Sequence, residues 1–243
     1  MTTNEIIDKL QDMSVAKMGP AEGVIVSRAV WEYNILSPDN AQKEELGKLI
    51  VSKAEQMKEA EAIVDSFEYP SAQNLLYTAF AITGDEEYKN IITALEKSDK
   101  NMGLAFDMNY ETYFGGKEHY HAITVRFAAL KAQDRDEMQE ALFMLSLVDT
   151  IAAIAQPVYE LYRSLVDIFR DELKKLVNAA WQRVNRMPAG VGAEHVPLFC
   201  NQEANEVMSL ALLKACALKV VLAEKYEAYI ACLLYTSPSP RDS

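Results

Sequence analysis

Val158-Tyr-Glu-Leu161-Tyr162-Arg-Ser-Leu165-Val-Asp-Ile-Phe169-Arg-Asp-Glu-Leu173-Lys-Lys-Leu176-Val177 carries apolar side chains at steps of three and four residues. That spacing is the stripe of a helix with one face buried and the other in water. Pro157 suits its first turn, where a missing N–H costs nothing, and Lys174 and Lys175 complement the negative end of the helix dipole. The preceding run, Ala141 to Ile154, is apolar nearly all round, so it belongs between other helices. One inner and one outer helix result, and the expected fold class is all-α, built of helical hairpins.

The rest of the chain supports this reading. Helices are expected at Asn4 to Lys17, Ala21 to Leu36, Ala41 to Val64, Ser71 to Ile82, Glu86 to Lys97 and Val207 to Val221. Ser37-Pro38 marks a turn and helix start, while Gly84-Asp85 reads as a helix stop followed by an N-cap. Strand signals are weak throughout. The clearest loop is Met187 to Asn201, which holds Pro188, Gly190, Gly192 and Pro197. The charged run Lys53 to Glu61 reads as a solvated helix face.

A length of 243 residues with 50% hydrophobic side chains suits one large domain and excludes a disordered chain. The 36 acidic and 24 basic side chains give a net charge of −12, which repels phosphate backbones and anionic lipid at long range. Neither nucleic acid nor a membrane surface is expected as a partner. No apolar run approaches the roughly 20 residues of a membrane span, and the start, Met1-Thr2-Thr3-Asn4-Glu5, lacks a basic region followed by an apolar one. A cytoplasmic protein is the expectation. Three cysteines, Cys200, Cys216 and Cys232, form no CxxC pair and suit a reducing compartment. The end, Cys232-Leu-Leu-Tyr-Thr-Ser-Pro-Ser-Pro-Arg-Asp-Ser243, shifts abruptly to a Pro and Ser run and looks like translated sequencing-adapter sequence. The expected organisation is therefore a single α/α-hairpin domain over residues 1–231 and a non-native tail over 232–243.

Three helix starts resemble one another: Asp85-Glu-Glu-Tyr88-Lys-Asn-Ile91, Lys117-Glu-His-Tyr120-His-Ala-Ile123 and Ala223-Glu-Lys-Tyr226-Glu-Ala-Tyr229. Glu in the first turn favours the dipole, and Tyr with the residue three later faces the partner helix. Repeated hairpins imply a solenoid or a closed α/α toroid.

Asp107-Met-Asn-Tyr-Glu-Thr-Tyr-Phe-Gly-Gly-Lys-Glu-His-Tyr120 closely resembles a helix and turn of the unsaturated rhamnogalacturonyl hydrolases of glycoside hydrolase family 105, relatives of the family 88 unsaturated glucuronyl hydrolases. Ser146-Leu-Val-Asp-Thr150 through Tyr159-Glu-Leu-Tyr-Arg-Ser-Leu-Val-Asp-Ile-Phe169, Ala211-Leu-Leu-Lys-Ala-Cys216 through Ala223-Glu-Lys-Tyr226, and the hairpin around Thr83-Gly-Asp-Glu-Glu-Tyr88 are also similar. The resemblance implies an (α/α)6-barrel-like toroid, complete or incomplete here, with a substrate cleft at one mouth. It also implies an activity: hydration of the 4,5 double bond of an unsaturated uronic acid at the end of a short oligosaccharide, as in pectin breakdown. One Asp would protonate the alkene carbon and activate the water, so a second carboxylate at glycosidase spacing is not required.

The family's Asp, in an Asp-Gly-Leu-Tyr-Met-like helix start, aligns without gaps on Ser98, and one deletion brings Asp99 there. Asp99 is the catalytic candidate. An Arg- and Trp-containing helix start is replaced by Asp136-Glu-Met-Gln-Glu-Ala-Leu142, and a Ser-Gly pair by Glu203-Ala204. Scaffold positions match while pocket positions depart, which leaves two readings: a hydrolase of short unsaturated uronides, or an inactive relative serving as a helical carbohydrate-binding or scaffold protein. Tyr110 and His195 are candidate substrate-binding residues, by stacking and from the Pro and Gly loop respectively. Tyr110, Tyr113 and Phe114 equally fit the interface between helices. His119 and His121, two apart, point to different helix faces and suit surface or capping roles rather than one metal. Asp107 reads as an exposed or capping carboxylate, with a relocated acid as its alternative. No metal or other cofactor is implied, a small oligosaccharide is the expected partner, and oligomeric state is left open.

Overall fold

The computed structural model describes residues 1–15, 17–59, 69–98, 102–115, 119–154, 159–184, 197–224 and 226. Among these residues there are ten α-helices, one 3-10 turn and no strand. The helices are α1 (Thr3–Asp12), α2 (Pro20–Ile35), α3 (Ala41–Glu59), α4 (Leu75–Thr83), α5 (Glu86–Glu96), α6 (Leu104–Tyr113), α7 (Tyr120–Lys131), α8 (Glu137–Ala153), α9 (Tyr159–Val184) and α10 (Gln202–Ala217), with the 3-10 turn Ala72–Asn74 leading into α4.

Local chemistry sets most of these limits. Thr2 and Glu5 form a reciprocal capping box that starts α1. Asp85 accepts from the Glu87 N–H to start α5, after Gly84 has ended α4 at φ 67°, a conformation costly for residues with a Cβ. Asp136 and Gln139 cap α8 in the same reciprocal way. Asn201 accepts from Glu203 and Ala204, so α10 begins five residues before the expected Val207. It ends at Ala217, where Lys219 turns to φ 58° and Val220 donates back to the Ala215 carbonyl at 2.8 Å.

Two expectations fail for tertiary reasons. α1 stops at Asp12 rather than running to Lys17, because the buried Lys53 ammonium donates to the carbonyls of Gln11 and Met13 at 2.6 and 2.9 Å. It satisfies acceptors that a continuing helix would have occupied, and the chain turns to bury Met13 and Met18. The run that begins at Lys53 is accordingly not merely a solvated face. Lys53 is buried, and Lys58 bridges α3 to the start of α5 through Asp85 at 2.6 Å and Glu87 at 3.1 Å, while also pairing with Glu55 of its own helix at 3.1 Å.

The core has two parts. In the first, Ile6, Leu10, Leu46, Ile50, Leu75, Leu76, Tyr88 and Ile92 pack α1, α3, α4 and α5 together; in the second, α8 lies against α10 and α6 with α9 alongside. Each large side chain fully buried in this way contributes about 1.5–3 kcal/mol of transfer free energy. α8 is buried nearly all round and α9 on the stripe of Leu161, Leu165, Phe169 and Leu173. α6 joins the two parts, giving Phe106 to the first and Leu104 and Met108 to the second. Of the three recurring tyrosines, Tyr88 and Tyr226 are buried and Tyr120 packs half-buried against the second part. No helix among the described residues is long and apolar enough to cross a membrane. Residues 227–243, including the Pro and Ser tail, lie outside the described residues, as do Pro157, Val158 and Met187 to Val196 of the long loop.

Candidate functional site

Among the charged side chains withdrawn from solvent, which include Arg135 with Glu140 and Glu172, two groups hold candidate chemistry. The first joins α2, α8 and α10. Lys214 donates to Asp149 Oδ1 at 2.6 Å, to the Ser27 carbonyl at 3.0 Å and to Ser27 Oγ, which itself donates to Asp149 Oδ2 at 2.7 Å. The three donors of the ammonium are thus used. Burial pulls the Lys214 pKa down and the Asp149 charge opposes it. A serine beside a lysine suggests nucleophilic chemistry, but here the hydroxyl proton is committed to Asp149 and Ser27 and Lys214 are both buried. The group ties three helices together.

The second group opens on a cavity of 190 Å³ between the end of α5, the first half of α6 and the start of α7. Glu96, Asp107, His119 and Arg126 line it over an apolar floor that includes Met102 and Ile123. α6 begins at Gly103, whose φ of 88° and ψ of 152° lie in a region essentially restricted to glycine. That start sets Asp107 one turn in and Glu111 a turn later on the same face, while His119 and Arg126, seven apart, share a face of α7. Arg126 pairs with Asp107. Glu111, whose side chain is 1% exposed, accepts from the His119 ring and from its backbone N–H. Glu96 Oε1 stands 3.7 Å from His119 Nδ1, too far for a hydrogen bond.

The electrostatics follow from this placement. Burial, and then the Asp107 charge, push the Glu96 carboxyl up to about 7, against the pull of His119 and Arg126. Burial also raises Asp107, with Arg126 and His119 opposing. For His119, burial acts downward but is outweighed by the hydrogen bond to Glu111 and the charges of Glu96, Glu111 and Asp107, so its pKa rises. The cavity therefore holds a carboxylic acid that exchanges its proton near neutrality, beside two cationic groups.

Of the residues singled out from sequence, Asp107 is neither exposed nor a cap: its side chain is 15% exposed and ion-paired on the cavity wall. His119 is the N-cap residue of α7 but also lines the cavity, whereas His121 is exposed and separate. Tyr110 is half-buried behind the cavity, edge-on to Phe114 with ring centres 5.8 Å apart and to His119 at 6.3 Å. Asp99 and His195 lie outside the described residues. Glu96, Glu111 and Arg126 escaped the sequence reading. Glu96 had left a trace, as an acid in the last turn of a helix where the dipole favours a cation. The spacing of Asp107 with Glu111 and of His119 with Arg126 was a second.

No family model, curated protein or solved structure matches this chain.

Proposed function

We propose that this protein hydrolyses short oligosaccharides ending in a 4,5-unsaturated uronic acid, by hydrating the double bond, and that the α5–α6–α7 cavity receives the terminal ring. One observation carries the reading. Asp107 to Tyr120, the segment that most closely resembles the unsaturated rhamnogalacturonyl hydrolases, is the one that gives Asp107 and His119 to a cavity holding an acid with a near-neutral pKa. Hydration of an alkene beside a ring oxygen needs such a group, which gives a proton at the pH where it can also take one back. At 190 Å³ the cavity is smaller than the roughly 300–1,000 Å³ of pockets for drug-sized ligands, so it suits one ring with the rest of the chain outside. Arg126 and His119 suit the uronate carboxylate, a local attraction that a chain of net charge −12 otherwise lacks. An (α/α)6-like ring of hairpins is part of the proposal, supported by the reach of α10 back to α2 through Lys214 and Ser27.

The test is turnover. Purified protein offered unsaturated rhamnogalacturonan and glucuronide disaccharides is expected to bleach the alkene absorbance, and a folded, helical protein that bleaches none of them overturns the reading. The second reading, an inactive carbohydrate-binding relative, is favoured by the engagement of Asp107 and Glu111 with Arg126 and His119, as in a purely structural network. Saturable binding of the same disaccharides without bleaching would establish it.

A further inference from the structure

Among the described residues, the carboxyl groups of Glu96 and Asp107 line the cavity and that of Glu111 stands behind His119, and their commitments differ. Asp107 is held by Arg126, and Glu111 by the ring and backbone of His119. A carboxylate serving as acceptor to a cation is poorly placed to hold a proton for a ligand. Glu96 is the exception, because the nearest cationic atom, His119 Nδ1, lies beyond hydrogen-bonding range. Its side chain is 13% exposed, and it lines the space that a ligand would fill.

We infer that Glu96, rather than Asp99, is the acid and base of the reaction in this cavity, and that Asp107, fixed by Arg126, is the positioning residue beside it. The assignment rests on the proposed function. The Glu96 carboxyl gives its proton to C4 of the alkene, forming a C–H bond with the π electrons and leaving positive charge at C5 shared with the ring oxygen. Water bonds to C5 and loses a proton to the Glu96 carboxylate. One water has been added, Glu96 is restored, and the resulting hemiketal opens to release the next sugar. The nearby Asp107 charge disfavours a second anion and so favours the protonated starting state. Arg126 holds Asp107 in place and offsets part of its charge. Among the described residues, His119, Glu111, Arg126 and the Tyr77 phenol are the other charged or titratable groups near Glu96.

The experiment compares wild type, Glu96→Gln, Asp99→Asn and Asp107→Asn on whichever unsaturated disaccharide wild type turns over. Glu96→Gln, nearly isosteric, is expected to keep the wild-type circular dichroism and lose at least about 100-fold in kcat, the lower end of what general acid–base catalysis contributes. Asp99→Asn is expected to stay near wild type. Wild-type activity should fall as pH rises through about 7, and Asp107→Asn should move that limb to lower pH. Turnover that survives in Glu96→Gln but is lost in Asp99→Asn overturns the assignment and leaves the proposed function standing. A limb unmoved in Asp107→Asn overturns it as well, and serves if Glu96→Gln fails to fold. No turnover by folded wild type is the distinct failure of the proposed function, and the assignment falls with it.

Discussion

Lys214, Asp149 and Ser27, which join α2, α8 and α10, and Glu96, Asp107, Glu111, His119 and Arg126, around the α5–α6–α7 cavity, both hold carboxylates largely withdrawn from water, yet they are built to opposite ends. In the first, every donor of the ammonium meets an acceptor and every carboxylate oxygen meets a donor. In the second, two carboxylates are paired and a third is left facing a cavity, with burial and a like charge holding its proton. Saturated pairing makes a joint between helices, whereas incomplete pairing beside open space makes a group able to react. Asp149 and Lys214 both fall in stretches whose likeness to unsaturated uronide hydrolases underlies the proposed function. Glu96 lies outside the most similar stretches.

The comparison breaks most visibly at Lys214. Lys214→Met strands the Asp149 carboxylate among α2, α8 and α10, and removing one partner of a buried pair costs about 3–5 kcal/mol. Urea denaturation followed by circular dichroism should show a loss of that size, while the triple change Lys214→Met, Asp149→Leu and Ser27→Ala should recover most of it. A loss below about 1 kcal/mol in the single variant would mean that the pair is hydrated, and the contrast between the clusters would disappear.

Gly103 tests the other side of the comparison by geometry rather than charge. Its backbone sits at φ 88° and ψ 152° at the start of α6, so Gly103→Ala is expected to cost about 1–3 kcal/mol and to rotate Asp107 away from Arg126. The same denaturation experiment checks the cost. The wild-type rise of the acid's pKa should shrink with it, because the Asp107 charge would no longer be fixed beside Glu96. Retention of both stability and pKa would show that the start of α6 does not set the site.

These two regions also mark what the sequence discloses. α8 and α9 were legible because burial on all sides and burial on one stripe leave different periodicities, and Gly84-Asp85 marked its own boundary through backbone conformation and capping. The end of α1 was not, since it depends on Lys53, some forty residues later, reaching back to Gln11 and Met13. The site was half legible. Asp107 and His119 were noticed within the segment carrying the resemblance, but their burial and pairing depend on Arg126 and Glu111, whose significance arises only when α6 and α7 fold against each other. Glu96 opposes the dipole of its own helix, a local conflict of the kind that functional positions produce.

The smallest expected effect on stability is also the most specific to Glu96. Its folded pKa of about 7 exceeds the ordinary 4.5, so between those values the folded state binds more protons than the unfolded chain and stability falls as pH rises. Below about 4.5 both states are protonated and the penalty is absent; above about 7 it is fully present. His119, also raised, loses its own stabilising contribution in the same direction as it deprotonates, so wild type alone does not isolate Glu96. Comparison with Glu96→Gln does. The variant's Tm should approach that of wild type near pH 4.5 and exceed it by an increasing margin up to pH 7, in thermal melts at fixed ionic strength. A constant difference across that range would mean that Glu96 ionises normally, and it would then resemble any solvated carboxylate rather than one that burial and the Asp107 charge keep protonated.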